Sequence, residues 1–301
     1  MKIVCCEALV FKTVFLLFFV SLSCKKQQPK TFNKDIVYQQ LLNKSESFNS
    51  HNVDAFKIRY NSQGLIIEGF IAKPNKQSNK KYPAIIFCRG GNQSYGMLNT
   101  YQLNMITHLS ANGFVVLASQ LRGNISSEGI DEFGGDDVND ILKLIDIAKA
   151  LDFVDEKNIH ILGYSRGGMN AYQVSKLTDK INSIAVVGAP TNKFKAIKFR
   201  QNMYHNVYKP LFGDTINNRN EYIKRSAVYW HNKINEPLLI LHGTDDNRVQ
   251  VEEAKQLIDS LKAKNKKDLN FKVFVGGNHA LTNVKKERDS LIINWFKLHT
   301  K

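Results

Sequence analysis

The stretch Ile159-His160-Ile161-Leu162-Gly163-Tyr164-Ser165-Arg166-Gly167-Gly168 decides how the rest of the chain is read, because a short apolar strand enters G-x-S-x-G and leaves as a helix-forming segment. A serine on so sharp a strand-to-helix turn projects its hydroxyl out of the sheet. Small residues are needed two positions to either side, where the backbones pass very close. Gly163 and Gly167 fill those places. The amide of Arg166, first in the following helix, can then face an oxygen that becomes negative. The pentapeptide alone occurs in many glycine loops; its strand-before, helix-after setting makes Ser165 the candidate nucleophile.

Such a serine needs a base and a carboxylate, expected in the order Ser, Asp or Glu, His, each near the carboxyl end of a later strand. Pro237-Leu238-Leu239-Ile240-Leu241 reads as a buried strand ending in His242-Gly243-Thr244-Asp245-Asp246. Phe271-Lys272-Val273-Phe274-Val275 reads as the next, ending in Gly276-Gly277-Asn278-His279. The candidate triad is therefore Ser165, Asp246 and His279. His279 takes the serine proton and returns it to the leaving group, while the carboxylate fixes the tautomer of the imidazole. His242 reads as a brace of the acid turn rather than the base. Asp246 is preferred to Asp245 because it closes H-G-x-x-D and precedes x-x-Val.

From about Tyr60 to Trp295 the chain resembles the catalytic domain of the prolyl-oligopeptidase and acylaminoacyl-peptidase branch of the α/β-hydrolases. Beyond the triad segments, Asn61-Ser62-Gln63-Gly64-Leu65-Ile66-Ile67-Glu68-Gly69-Phe70, leading to Lys73-Pro74, resembles that family's opening hairpin. Tyr82-Pro83-Ala84-Ile85-Ile86-Phe87-Cys88-Arg89-Gly90-Gly91-Asn92 resembles its strand and oxyanion loop. Gln120-Leu121-Arg122-Gly123-Asn124, with Gly134-Gly135-Asp136-Asp137-Val138-Asn139-Asp140, resembles its Arg-Gly loop and the acidic start of the next helix. Tyr222-Ile223-Lys224-Arg225-Ser226-Ala227 resembles its Arg-Ser-Pro segment. The resemblance implies an α/β-hydrolase fold, a doubly wound and mostly parallel sheet with helices on both faces and a small helical cap over about 189–236. It also implies a serine peptidase in which a backbone amide, assigned to Gly91, joins that of Arg166 in the oxyanion hole. Arg89 departs from the family's Tyr or His before the oxyanion glycines. A structural ion pair is the preferred role for it, and a contact to a substrate carboxylate is the alternative. Ala227 and Gln250 each replace a family proline without touching the chemistry.

The rest of the pattern agrees. Short apolar runs at 84–88, 114–118, 159–162, 184–187, 238–241 and 273–275 alternate with helical segments, which argues a mainly parallel sheet. Val138, Ile141, Leu142, Ile145 and Ala148 form an apolar stripe at helical spacing, with Asp136 and Asp137 favourable at its amino terminus. Between residues 188 and 236, aromatics and cations interleave, as expected of a segment that caps the site. No RNP-like or zinc-finger signature accompanies them, so nucleic acid is not the expected partner.

Within 301 residues, 54–301 suit one catalytic domain and leave no room for the β-propeller of the large oligopeptidases. Residues 24–53 read as a polar tether with a short amino-terminal helix near 36–42. Residues 1–23 read as a lipoprotein-type signal: Lys2 and Lys12 precede the apolar run 14–20, which is too short to span a bilayer, and Ser21-Leu22-Ser23-Cys24 follows. Cys24 is then the lipidated first residue of an exported, membrane-anchored bacterial lipoprotein. Cys5 and Cys6 leave with the signal, so Cys88 remains as a lone buried thiol. The net charge of +15 becomes +14 once residues 1–23, with two lysines and one glutamate, are set aside; a solvated Lys- and Asn-rich surface explains it. No H-E-x-x-H, dinucleotide or phosphate loop stands in the right context, so neither metal nor cofactor is expected. The expected activity is hydrolysis through an acyl-enzyme on Ser165. A small peptide is the first choice of substrate and a carboxylic ester the second. A catalytically silent binding lipoprotein is the reading of a different class.

Overall fold

Alternate residues of the apolar strands face opposite ways, and that sets the layers. A computed structural model describes residues 31–42, 52–75 and 80–301; the signal, Cys24 and most of the tether lie outside them. Nine strands form one sheet among the described residues: β1 (Ile36–Leu41), β2 (Val53–Ser62), β3 (Leu65–Pro74), β4 (Tyr82–Cys88), β5 (Val115–Ser119), β6 (Val154–Tyr164), β7 (Ser183–Val187), β8 (Leu238–Gly243) and β9 (Leu269–Phe274). Their order is β1-β2-β3-β5-β4-β6-β7-β8-β9, antiparallel from β1 to β5 and parallel from β5 to β9.

In β4, Ala84, Ile86 and Cys88 enter one apolar core while Ile85 and Phe87 enter another. The first core is covered by α2 (Val138–Lys149), α3 (Arg166–Leu177) and α6 (Val251–Ala263); the second is covered by α1 (Thr100–Ala111) and α7 (Lys285–Leu298). This is the doubly wound sheet that the alternating sequence pattern implies. The cap holds α4 (Lys193–Phe199), α5 (Arg219–Lys224) and a π-turn at Tyr204–Tyr208. Its Tyr208, Phe212 and Tyr222 pack with Phe133 and Met169 of the body.

Local chemistry sets the element ends. The β2–β3 hairpin turns on Gln63 and Gly64, with φ of 53° and 84°, the paired positive values of a two-residue turn matched to strand twist. Asn99 caps α1 by accepting from the Tyr101 amide, and Gln102 completes the capping box. Val275 lies beyond β9, exposed.

One element differs from the sequence reading. Residues 36–41, expected to be helical, form β1 along the outer edge of β2. Glutamines 39 and 40 favour a helix, but Ile36, Val37 and Tyr38 suit a pleated edge, and pairing to β2 outweighs the weak local propensity. Ile36 is 2% exposed, and Phe32 packs edge-on against Phe56 and Phe153 at 4.8 and 5.2 Å. The compact unit therefore begins near Thr31 rather than at residue 54.

Strand order reverses at β4, whose neighbours are β5 on one side and β6 on the other. Ligands of open parallel sheets bind in the crevice at the carboxyl ends beside such a reversal. The loops after β4 and β6 meet there.

Candidate active site

Ser165 stands between the last residue of β6 and the first of α3 with φ 53° and ψ −124°, a backbone region that only glycine adopts freely. It is held there by its amide donating to Val187 O at 2.8 Å and its carbonyl accepting from Gly168 N at 2.9 Å. The glycines that the turn demands are sterically fixed. A Cβ on Gly163 would lie 2.4 Å from Gly167 O, and one on Gly167 would lie 1.9 Å from Cys88 O. Arg166 is the first residue of α3, so its amide is among those without an acceptor inside the helix.

Asp246 and His279 come from the loops after β8 and β9. His279 Nδ1 donates to the Asp246 carboxylate, at 2.8 Å from each oxygen. Asp246 Oδ1 also accepts from the amides of Arg248 and Val249 at 2.8 and 2.9 Å. Burial of this side chain would raise its pKa, but the hydrogen bonds from His242 and His279, the charge of His279 and the Val249 amide outweigh burial and hold the carboxyl well below its usual range. Asp245 is exposed, and among the described residues its carboxylate accepts only from the neighbouring Thr244 hydroxyl at 3.0 Å. His242 is fully buried, with Nε2 2.8 Å from Val249 O and 3.2 Å from Asp246 Oδ2. It braces the acid turn and also touches the carboxylate, a contact the sequence did not disclose. Burial pushes the Cys88 thiol up, which keeps it a neutral core group.

The loop 89–96 after β4 forms the third wall. Gly91 has φ 76°, and a Cβ there would fall 2.0 Å from Tyr95 O, so the turn admits only glycine. Arg89 makes no ion pair among the described residues. Its guanidinium, 1% exposed, donates to the carbonyls of Gln120 and Gln93 at 2.7 Å each and of Gly90 and Tyr95 at 3.1 and 3.2 Å. Burial, helped by repulsion from Arg166, brings its pKa down to about 10. Arg89 is a brace for the loop 89–96, and the expected ion pair is replaced by backbone acceptors.

The side chain of Arg166 braces the same loop from below. It donates to Gly91 O at 3.0 Å and pairs with Asp131 at 2.6 Å and Asp137 at 2.8 Å, all three side chains being buried. Asp131 in turn accepts from the Gln93 amide, and Asp137 from the amides of Gly134 and Gly135. Asp137 thus serves Arg166 and the preceding turn; it makes no side-chain cap to α2. Asp131 carries no motif spacing, and nothing in the sequence singled it out.

Two cavities meet at Ser165. One, of about 330 Å³, is lined by Phe87, Tyr101, Met105, Tyr164 and His279. The other, of about 240 Å³, lies under the cap and is lined by Phe133, Pro190, Arg200, Met203 and Tyr208. Gly91, Tyr95, Ser165 and Arg248 border both.

Known proteins resemble this chain in sequence and in fold. The chain is 29% identical over 214 residues to the uncharacterised peptidase YtmA of Bacillus subtilis, which covers 71% of this chain and 81% of that protein. It is 25% identical over 258 residues to the uncharacterised peptidase YuxL of the same organism, 81% of this chain but 39% of the longer relative. The acylaminoacyl peptidase of Pyrococcus horikoshii superposes with a TM-score of 0.71 at 21% identity, over 83% of this chain and 42% of that one. An esterase of Pyrococcus furiosus superposes with a TM-score of 0.63 at 18% identity, over 81% of this chain and 91% of the esterase. At such identities these two structures establish the α/β-hydrolase fold alone. The prolyl oligopeptidase family matches residues 100–301, two-thirds of the sequence and the part that carries Ser165, Asp246 and His279, so the chain belongs to that family and is a serine hydrolase of peptidase type.

Proposed function

We propose that Ser165, His279 and Asp246 form the catalytic triad of a peptidase that cleaves small peptides through an acyl-enzyme. One observation carries the reading: the His279 imidazole is held by its Nδ1 on a buried, ionised Asp246, and it lines the same cavity as Ser165 on its strained turn. With Nδ1 donating to the carboxylate, Nε2 is left as the nitrogen that takes the serine proton. Ser165 Oγ attacks the carbonyl carbon, and the amides of Arg166 and Gly91 receive the oxyanion. His279 returns the proton to the departing amine, then activates water to release the acyl group.

Matched amide and ester substrates bearing one aminoacyl group test this, with Ser165→Ala as the blank. Efficient amide cleavage that depends on Ser165 supports the peptidase. Ester cleavage alone supports the alternative, a carboxylic ester hydrolase, which the likeness to the Pyrococcus furiosus esterase keeps in view. Absence of both, with no labelling of Ser165 by a fluorophosphonate, would leave a binding protein on a hydrolase scaffold.

Export and lipidation at Cys24 are part of the same proposal and rest on the sequence of residues 1–24. Metabolic labelling with a palmitate analogue should mark the wild-type chain and not Cys24→Ser, which should leave the membrane fraction. Equal labelling of the two would remove Cys24 from the reading.

A further inference from the structure

The two cavities at Ser165 are not equivalent, and the difference points to the kind of acyl group accepted. This inference rests on the hydrolase reading above. The histidine that protonates the leaving group must lie beside it. His279 lines the cavity of Phe87 and Tyr164 and does not line the one beneath the cap. The leaving group therefore belongs on the His279 side and the acyl residue beneath the cap.

The acyl cavity has an apolar body and a cationic mouth. Phe133, Pro190, Met203 and Val249 supply the apolar surface, and about 240 Å³ holds one residue-sized group, equivalent to about eight waters of liquid. Three arginines reach it and no carboxylate lines it. Arg166 is neutralised by Asp131 and Asp137. Arg200 and Arg248 make no ion pair among the described residues. Arg248 is exposed at the junction of the cavities, its guanidinium 5.9 Å from the Tyr95 ring centroid, and Arg200 is half-buried at the end of α4.

Arg248 is open to solvent and Arg200 partly so, and a neutral acyl group that excluded solvent from both would leave them without partners. A carboxylate at the end of a short apolar stem would instead accept charge-assisted hydrogen bonds from a planar guanidinium, which matches its geometry.

We infer that the cavity beneath the cap selects an acyl group bearing a second carboxylate, of the size and shape of a glutamyl residue, and that Arg200 and Arg248 are the specificity-determining side chains.

The test compares N-acetyl-Glu and N-acetyl-Gln as 4-nitroanilides and as 4-nitrophenyl esters, because the two acyl groups are isosteric and differ in charge. In the wild-type protein kcat/KM for Glu should exceed that for Gln by about tenfold or more, the scale of one charge-assisted hydrogen bond. The ratio should fall towards one in Arg200→Gln, fall with Arg248→Gln as well, and invert in favour of an N-acetyl-Lys substrate in Arg200→Glu. Labelling of Ser165 by a fluorophosphonate at the wild-type rate certifies that each variant is folded. A wild-type ratio at or below one, with Ser165-dependent turnover of Gln, overturns the inference and leaves the hydrolase reading standing. So does labelling without turnover of any of the four substrates. If Ser165 is neither labelled nor needed for turnover, the hydrolase reading falls and takes this inference with it.

Discussion

Asp246 is gripped from three sides, by His279, by His242 and by two backbone amides, and each contact favours its ionised form. Asp246→Asn keeps the shape of the side chain but cannot stabilise an imidazolium, and it invites the wrong tautomer of His279. It should lower kcat by on the order of a thousandfold or more, whereas Asp245→Asn, at an exposed carboxylate that meets only the Thr244 hydroxyl among the described residues, should leave kcat within about twofold. Steady-state kinetics with one amide substrate ranks them, and the reverse ranking would remove Asp246 from its role. The same grip has a pH signature. The folded pKa of Asp246 is depressed below an unfolded value of about 3.9, so its stabilisation is fully present above that pH and is lost as pH falls through the folded value. Urea unfolding should therefore separate wild type from Asp246→Asn more widely at pH 7 than at pH 3; an equal gap at both would contradict the assignment.

The loop 89–96, proposed to hold the oxyanion, is an element built from the outside in. Four of its neighbouring carbonyls are tied to one buried guanidinium, and its glycine turn rests on the Arg166–Asp131 pair. Arg89→Met would fill similar volume but take the Arg89 donor from all four, leaving Gln120 O with Asn124 Nδ2 and Tyr95 O with the Asn92 amide, and Gly90 O and Gln93 O with no other donor among the described residues, a loss of about 3 kcal/mol on the scale of buried hydrogen bonds to a charged group. Because the loop carries Gly91, kcat should fall more than KM rises. Thermal unfolding and kinetics together check this, and an unchanged kcat would mean that the loop holds its form unaided. No reading of the sequence could have found this brace, since its acceptors are main-chain atoms at 90, 93, 95 and 120 that converge only after β4 and β5 have paired. The strands were legible for the opposite reason: burial on both faces makes residues 184–187 of β7 and 238–241 of β8 unbroken apolar runs. Between these lies β1, where six residues with weak and conflicting preferences take their form from β2. Ile36→Ala should cost about 2–4 kcal/mol, as at a closed core position, while Val37→Ala, half exposed, should cost under about 1. Equal effects in denaturant titrations would argue that the edge strand is not anchored through Ile36.

At the scale of the whole molecule, the parallel register gathers residues from distant parts of the sequence. Cys88 pairs with Gly163, Val187 with Leu241, and Gly243 with Phe274, so the loops after β4, β6, β8 and β9 leave the sheet side by side. The order of the proposed triad along the chain is thus also its order across the sheet, which is why motif spacing pointed to Ser165, Asp246 and His279 but said little about Arg200 and Tyr208 of the irregular cap. The body that holds these loops is stable enough to impose an unfavourable conformation on Ser165. A non-glycine residue in that region costs about 1–3 kcal/mol. Ser165→Gly should relieve it, raise the melting temperature by a few degrees, and abolish turnover. The turn thus holds a serine where the backbone itself would favour glycine, so the stability surrendered at this one residue is a measure of what the rest of the molecule must supply to keep a hydroxyl there.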